Sequence, residues 1–276
     1  MLLNNVSYTI PASDGINLFI RDYSLQNSNE VILIIHGLGE HSGRYLKLIQ
    51  DFNDKNISVF TIDIRGHGKS GGKRGHSPFY KQLMNDIQCF IEHVTNKTSN
   101  QKYFLYGHSM GGNLVINYSL QKNIKIDGII ATSPCIQPAI EPPKIKLFMG
   151  KLFQKLIPSL TLNNGLDING ISRNLRVIED YINDPFIHNR LSVKLGMDII
   201  NSGIYALENS QNIAVPMLVF HGRKDRLVSY NASKKLVEIS GSNVKFIGFK
   251  DAYHEIHNEE EKEELLKNIF DWINLI

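Results

Sequence analysis

Val31-Ile32-Leu33-Ile34-Ile35 is an unbroken run of five aliphatic residues. A half-exposed strand alternates apolar and polar side chains; a strand with no polar face must be covered on both sides. The architecture that provides such cover is a mostly parallel sheet with helices packed on both faces. The rest of the chain supplies the parts. Ile57–Ile62 is a second run of the buried kind, Tyr103–Tyr106 a short third and Gly128–Ala131 a fourth. Helical stripes lie between them: Tyr45, Leu48, Ile49 and Phe52, then Leu83, Ile87, Phe90, Ile91 and Val94, then the stretch Met110–Leu120. The alternation resumes with strand Met217–Phe220, helix Tyr230–Ile239, strand Val244–Phe249 and a closing helix Glu259–Ile273. Ile16–Arg21 alternates and predicts a strand with one exposed face.

Between about Ile136 and Glu208 the alternation stops. Pro138, Pro142 and Pro143 mark a chain leaving the sheet. Ile145–Ile157 is amphipathic: Ile145, Phe148, Met149, Leu152, Phe153 and Leu156 share one face, and Lys144, Lys151 and Lys155 lie off it. Pro158 ends that helix, and no strand-like run follows until Met217. The expected organisation is one structural domain. Its α/β core is residues 1–135 and 209–276, and residues 136–208 are an inserted, mainly helical cap. Extra helices packed on the sheet edge are the alternative. A chain of 276 residues is long enough for such a domain and buries roughly three quarters of its unfolded surface.

Composition excludes several classes of function. Lys+Arg 30 against Asp+Glu 27 leaves a net charge of +3. No basic block is present, so no nucleic-acid partner is expected. Two cysteines, Cys89 and Cys135, make no disulfide framework and no zinc site. They read as free thiols of a reducing compartment. The start, Met1–Ser7, lacks a basic segment followed by an apolar run. No stretch approaches the roughly 20 apolar residues of a membrane span. The expected location is the cytoplasm.

Gly107-His108-Ser109-Met110-Gly111 reads G-x-S-x-G between a strand and a helix. That is the context of a nucleophile elbow, in which flanking glycines let the chain turn sharply and expose the serine Oγ. The N–H of Met110 then lies at a helix N-terminus, where positive partial charge stabilises an oxyanion. His36-Gly37-Leu38-Gly39 follows the first buried strand, and the Leu38 N–H is the expected second donor. Serine needs a base to take its proton. In α/β-hydrolases the chain order is serine, acid, histidine. Asp225 follows strand Met217–Phe220 and His254 follows Val244–Phe249, so both loops open at the same sheet edge. Asp251 is a rival acid, but it sits in the histidine's own loop, three residues away, and is poorly placed to reach the far side of the imidazole. His221 is near Asp225; His257 is expected as a solvated or capping residue at the last helix. Asp63–Ser70 is rich in glycine but lacks the spacing of a phosphate loop, and reads as a tight turn beside the site. No set of residues has metal-ligand spacing and no cofactor fingerprint appears, so neither a metal nor a cofactor is expected.

Five blocks occur in the order seen in monoacylglycerol lipases: His36-Gly37-Leu38-Gly39-Glu40-His41-Ser42-Gly43-Arg44-Tyr45, Gly66-His67-Gly68-Lys69-Ser70, Gly107–Gly112, Asp225-Arg226-Leu227-Val228 and Tyr253-His254-Glu255. The chain resembles that lysophospholipase-like, serine-aminopeptidase-like branch of the α/β-hydrolase superfamily over nearly its whole length. Ser172-Arg173-Asn174 and Tyr181-Ile182-Asn183-Asp184-Pro185 also look like family motifs. The resemblance implies an α/β-hydrolase fold, a catalytic triad of Ser109, Asp225 and His254, and oxyanion donors at Leu38 and Met110. It also implies a polar substrate-binding end made by Glu40, Arg44, His108 and Tyr181. Where Leu38 stands the family usually carries a smaller residue, often alanine, which implies a narrower pocket here.

The expected function is hydrolysis of a carboxylic ester, monoacylglycerol first. Lysophospholipids or a broad range of carboxylic esters are the alternatives, and acyl transfer, amide hydrolysis or a non-catalytic binding role are further ones. The expected partner is a small-molecule lipid ester. The apolar stripe of Ile145–Leu156, with Lys144, Lys146, Lys151 and Lys155 beside it, suits an acyl tunnel or a transient, peripheral contact with a membrane surface; an ordinary helix packed on the sheet is the simpler reading. The residues set no oligomeric state.

Overall fold

Val31, Ile32, Leu33, Ile34 and Ile35 are each 0% exposed, as a strand without a polar face requires. The computed structural model describes residues 5–98, 101–121 and 125–276; Met1–Asn4, where the sequence predicts no leader, lie outside them. In chain order the elements are β1 (Val6–Pro11), β2 (Asn17–Tyr23), β3 (Glu30–Ile35), α1 (Leu46–Asn53), β4 (Ser58–Ile62), α2 (Tyr80–Lys97), β5 (Lys102–His108), α3 (Met110–Ser119) and β6 (Gly128–Thr132). They continue with α4 (Lys144–Leu156), β7 (Thr161–Asn163), α5 (Leu175–Asn183), β8 (Arg190–Ser192), α6 (Val193–Asn209), β9 (Met217–Gly222), α7 (Tyr230–Ile239), β10 (Val244–Phe249) and α8 (Lys262–Ile273).

One sheet of eight strands runs in the order β1-β2-β4-β3-β5-β6-β9-β10. β1 and β2 pair antiparallel and β2 joins β4 antiparallel; every pairing from β4 to β10 is parallel. The sheet is therefore mostly parallel and helix-covered, the α/β-hydrolase architecture expected. Alternate residues of β3 feed two cores. Val31, Leu33 and Ile35 pack with Phe90 of α2 and Leu114 of α3, while Ile32 and Ile34 pack with Phe52 of α1 and Trp272 of α8. Each such side chain stabilises the fold by roughly 1.5–3 kcal/mol. Parallel pairing puts the C-terminal ends of β3, β5, β9 and β10 on one edge, so the loops carrying Leu38, Ser109, Asp225 and His254 meet there.

The structure corrects four expectations. β2 has no exposed face: Leu18 and Ile20 are buried on one side, Phe19 and Tyr23 on the other. It lies inside the sheet between β1 and β4, and its Asp22 is buried beneath Lys97, Nζ at 2.6 Å. β1 was not predicted; Val6, Tyr8 and Ile10 alternate too briefly to signal a strand. The 136–208 segment does contain strands, β7 and β8, paired antiparallel over three residues each, too short to leave a period. Finally, α4 buries none of its residues. Its contact with α6 runs through Gly150, where a Cβ would lie 2.6 Å from Met197 Sδ. Ile145, Phe148 and Leu156 are 66%, 64% and 66% exposed, so these three side chains of the stripe face outward and not onto the sheet. Among the described residues no helix is long and apolar enough to cross a membrane.

Candidate active site

Ser109 joins β5 to α3 at φ +53° and ψ −114°, a conformation that strains any residue with a Cβ. The elbow closes only because its flanks are glycine. A Cβ on Gly107 would fall 2.3 Å from the Gly111 carbonyl oxygen, and one on Gly111 would fall 2.1 Å from that of Ile35. The turn is pinned from below: the Ser109 carbonyl accepts from the N–H of Asn113 at 3.0 Å and of Cys135 at 2.9 Å. Met110 opens α3, and Leu38 lies in the loop after β3. Neither amide N–H has a protein acceptor among the described residues, so both are free to meet a developing oxyanion.

Asp225 and His254 come from the loops after β9 and β10. His254 Nδ1 lies 2.7 Å from Asp225 Oδ2, and both side chains are buried. A carboxylate only accepts, so Nδ1 carries the hydrogen and Nε2 presents a lone pair. The second Asp225 oxygen accepts from the N–H of Leu227 and Val228 at 2.8 and 3.1 Å. Burial alone would raise the Asp225 pKa, but His254 and His221 overcome it and hold the carboxyl well below its usual range. Burial disfavours a charged His254, yet the Asp225 carboxylate outweighs that and raises its pKa above 6.5. Asp251, the rival acid, is exposed and paired with Lys224 at 2.8 Å, away from the histidine.

Ser109, His254 and Leu38 line one small cavity of about 20 Å³, with Glu40, Arg44, His108, Tyr181, Leu166, Ile171 and Glu255 around it. That volume holds about one water. All four residues expected at the polar end thus reach the serine's cavity. Glu40 and Arg44 are also structural. Arg44 Nη1 donates to Glu40 at 2.6 Å and to Glu255 at 2.6 Å, and Nη2 donates to Glu255 at 2.9 Å. The other Glu40 oxygen accepts from Tyr45 Oη and from the Gly37 N–H, which fixes the loop that presents Leu38. Burial pushes the Glu40 carboxyl up, but Arg44, His108 and His36 together hold it well below the usual carboxylate range. The Arg44 guanidinium also lies over the Tyr181 ring, 4.8 Å from its centroid.

Arg44→Met would strand two carboxylates whose side chains are only 4% and 3% exposed. The expected loss is roughly 3–5 kcal/mol, read as a lower urea midpoint. An unchanged midpoint would mean that Glu40 and Glu255 are neutralised or hydrated without the arginine.

Four neighbours carry signals that sequence reasoning left unused or misread. His221 Nε2 donates to Asp225 at 3.1 Å and its Nδ1 accepts from Ser233 Oγ, so the acid is held by two histidines. Ser133, at φ +42° past β6, donates its Oγ to the His254 carbonyl at 2.7 Å. His257 is neither solvated nor a cap. It is buried in a short turn before α8, stacked on Tyr45 at 5.1 Å and edge-on to His108 at 5.0 Å. The motif Tyr253-His254-Glu255 contained Glu255, and only the fold reveals that it faces Arg44.

The family model described as serine aminopeptidase, S33, matches residues 26–261. An uncharacterized abhydrolase domain-containing protein of Dictyostelium discoideum is 37% identical over 245 residues, 88% of this chain but 26% of that protein, so the chain spans about a quarter of that relative. A phospholipase of Bacillus subtilis is 32% identical over 240 residues, 86% of this chain and 92% of that one. The crystal structure of the Paleococcus ferrophilus monoacylglycerol lipase is 35% identical, with a TM-score of 0.82 over 99% of this chain and 98% of that one.

Proposed function

Because this chain belongs to the serine aminopeptidase S33 family of hydrolases, we propose that it is a serine ester hydrolase that cleaves monoacylglycerol to fatty acid and glycerol. The observation that carries this reading is one cavity lined by Ser109, His254 and Leu38, with Asp225 hydrogen-bonded to that histidine and the unpartnered Met110 N–H next in the chain to the serine. The similarity to a monoacylglycerol lipase directs it to that ester. In this reading residues 136–208 form a cap over a core of residues 1–135 and 209–276.

His254 Nε2 takes the Ser109 proton as Oγ attacks the ester carbonyl. Asp225 keeps the imidazole in the required tautomer and stabilises its cation. The carbonyl oxygen, now negative, is held by the Leu38 and Met110 N–H groups. His254 returns the proton to the leaving alcohol as the C–O bond breaks, leaving an acyl-serine. Water then attacks, giving its proton to His254; the fatty acid leaves and Ser109 regains its hydrogen. A cavity of about 20 Å³ admits no acyl ester, whose site needs roughly 300 Å³ or more. An acyl ester therefore enters only when side chains lining this cavity give way.

The test compares monododecanoylglycerol, dodecanoyl lysophosphatidylcholine and p-nitrophenyl dodecanoate on purified protein. The expected result is a Ser109-dependent preference for the glycerol ester. Preference for the lysophospholipid would favour the second reading, a lysophospholipase, for which the Bacillus subtilis phospholipase gives grounds. Turnover of the aryl ester alone would retain the hydrolase and discard the lipid.

The exposed stripe of α4, flanked by Lys144, Lys146, Lys151 and Lys155, suits peripheral contact with a lipid surface, apolar side chains in the acyl boundary and ammonium groups at the phosphates. Phe148→Asp is expected to reduce co-flotation with anionic vesicles without changing turnover of a dispersed ester. Equal flotation of both proteins would remove the membrane role.

A further inference from the structure

We propose that this enzyme has a second head-group subsite beyond Leu166 and Tyr181, built for an uncharged polyhydroxyl head larger than glycerol, such as a sugar. The proposal rests on the ester-hydrolase reading above and extends its substrate class. A cavity of about 490 Å³ shares the Leu166 and Tyr181 side chains with the small cavity at Ser109. Those two residues are the partition between the spaces. The larger cavity also lies against the loop that presents Leu38, since the His188 N–H donates to the Gly39 carbonyl at 2.9 Å.

The chemistry of the lining selects the ligand. Asn163, Asn164 and Asn189 bring side-chain amides to the wall. Asn163 and Asn164 use their carbonyl oxygens on the N–H groups of Gly165 and Leu166, which leaves their NH₂ groups free to donate. The Asn189 side chain makes no hydrogen bond among the described residues and can both donate and accept. Ile168, Ile182 and Ile187 supply apolar surface between them. Amides alternating with aliphatic patches match a ring of hydroxyl and C–H groups. They do not match an acyl chain, which would desolvate the amides without pairing them. No lysine or arginine lines this cavity, and Asp184 does, so a phosphate head meets no cation there and one carboxylate. A glycerol head would fill only a small part of such a volume.

The test uses three dodecanoyl esters: glucose monododecanoate, monododecanoylglycerol and lysophosphatidylglycerol. The readout is the ratio of kcat/KM for the glucose ester to that for the glycerol ester. Wild type is expected to turn over both. Asn189→Trp, which fills the cavity while removing no hydrogen bond of the native side chain, is expected to lower the ratio by about tenfold. Leu166→Ala, which joins the two spaces, is expected to raise it by about threefold. A glucose ester left untouched while the glycerol ester is hydrolysed would overturn the subsite and leave the lipase reading intact. So would a ratio that neither variant moves, or faster turnover of lysophosphatidylglycerol than of the glucose ester. Hydrolysis of the glucose ester without the glycerol ester would support the subsite and overturn the glycerol assignment. No Ser109-dependent turnover of any ester would overturn both.

Discussion

Ser109→Ala is expected to lower kcat by roughly four to six orders of magnitude while leaving the fold intact. The hydroxyl is the only atom removed, and no other described hydroxyl lines the cavity except that of Tyr181, which burial pushes up to about 12 and so keeps protonated. The same position predicts a stability difference between two inactive variants. Alanine retains a Cβ at φ +53° and keeps the strain of the elbow. Glycine has no Cβ and releases it. Ser109→Gly is therefore expected to be the more stable by about 1 kcal/mol, strain relief exceeding the added entropy of the unfolded chain. Paired urea melts and turnover assays read both effects. Residual activity above about one hundredth of wild type in Ser109→Ala would place the nucleophile elsewhere.

Asp225→Asn is expected to lower kcat by about four orders of magnitude. An amide facing His254 Nδ1 can offer N–H where the native acid accepts, turning the imidazole to the tautomer that cannot take the serine proton. The residue that raises the His254 pKa is lost as well, so the remaining activity should begin at lower pH. In wild type, kcat/KM rises with pH as His254 loses its proton, with a midpoint above 6.5. The linked stability runs the other way. His254 is raised in the fold, so its contribution is full below 6.5 and lost as pH rises through the folded value. Asp225 is lowered, so its contribution is present above 3.8 and lost as pH falls through its folded value. The Asp225–His254 pair thus stabilises most on the acid side of the pH range in which the enzyme works best. Melts of both proteins from about pH 3 to 9 would show this as a difference curve. A flat curve would mean that the pair is not charged in the fold.

Much of this was legible before any coordinates. A run such as Val31–Ile35 leaves one environment open to it, and the alternation of β3 to β6, β9 and β10 with their helices was readable from apolar runs and stripes. Ser109, Asp225 and His254 stood out because each belongs to a loop after a recognisable strand. The failures share a cause: they depend on contacts between distant parts of the chain. Nothing local announces that Asp22 will lie under Lys97, that Glu255 will face Arg44, or that His257 will stack on Tyr45. β7 and β8 owe their existence to each other and carry no pattern of their own. The apolar stripe of α4 was correctly read as a stripe, but which side of a helix meets protein is decided by its neighbour, here Met197 against Gly150.

β6 and β9 are hydrogen-bonded neighbours, yet the chain between them runs from Ser133 to Pro216. Its two ends are held one strand apart whatever lies between. The entropy of closing such a loop grows only with the logarithm of its length, about 0.6 kcal/mol for each doubling. Lengthening this stretch at an exposed turn, such as that at Gly165, therefore disturbs the registration of the sheet very little. The exposed turns between β6 and β9 can grow in this way, while the strand ends that carry Ser109, Asp225 and His254 stay where they are.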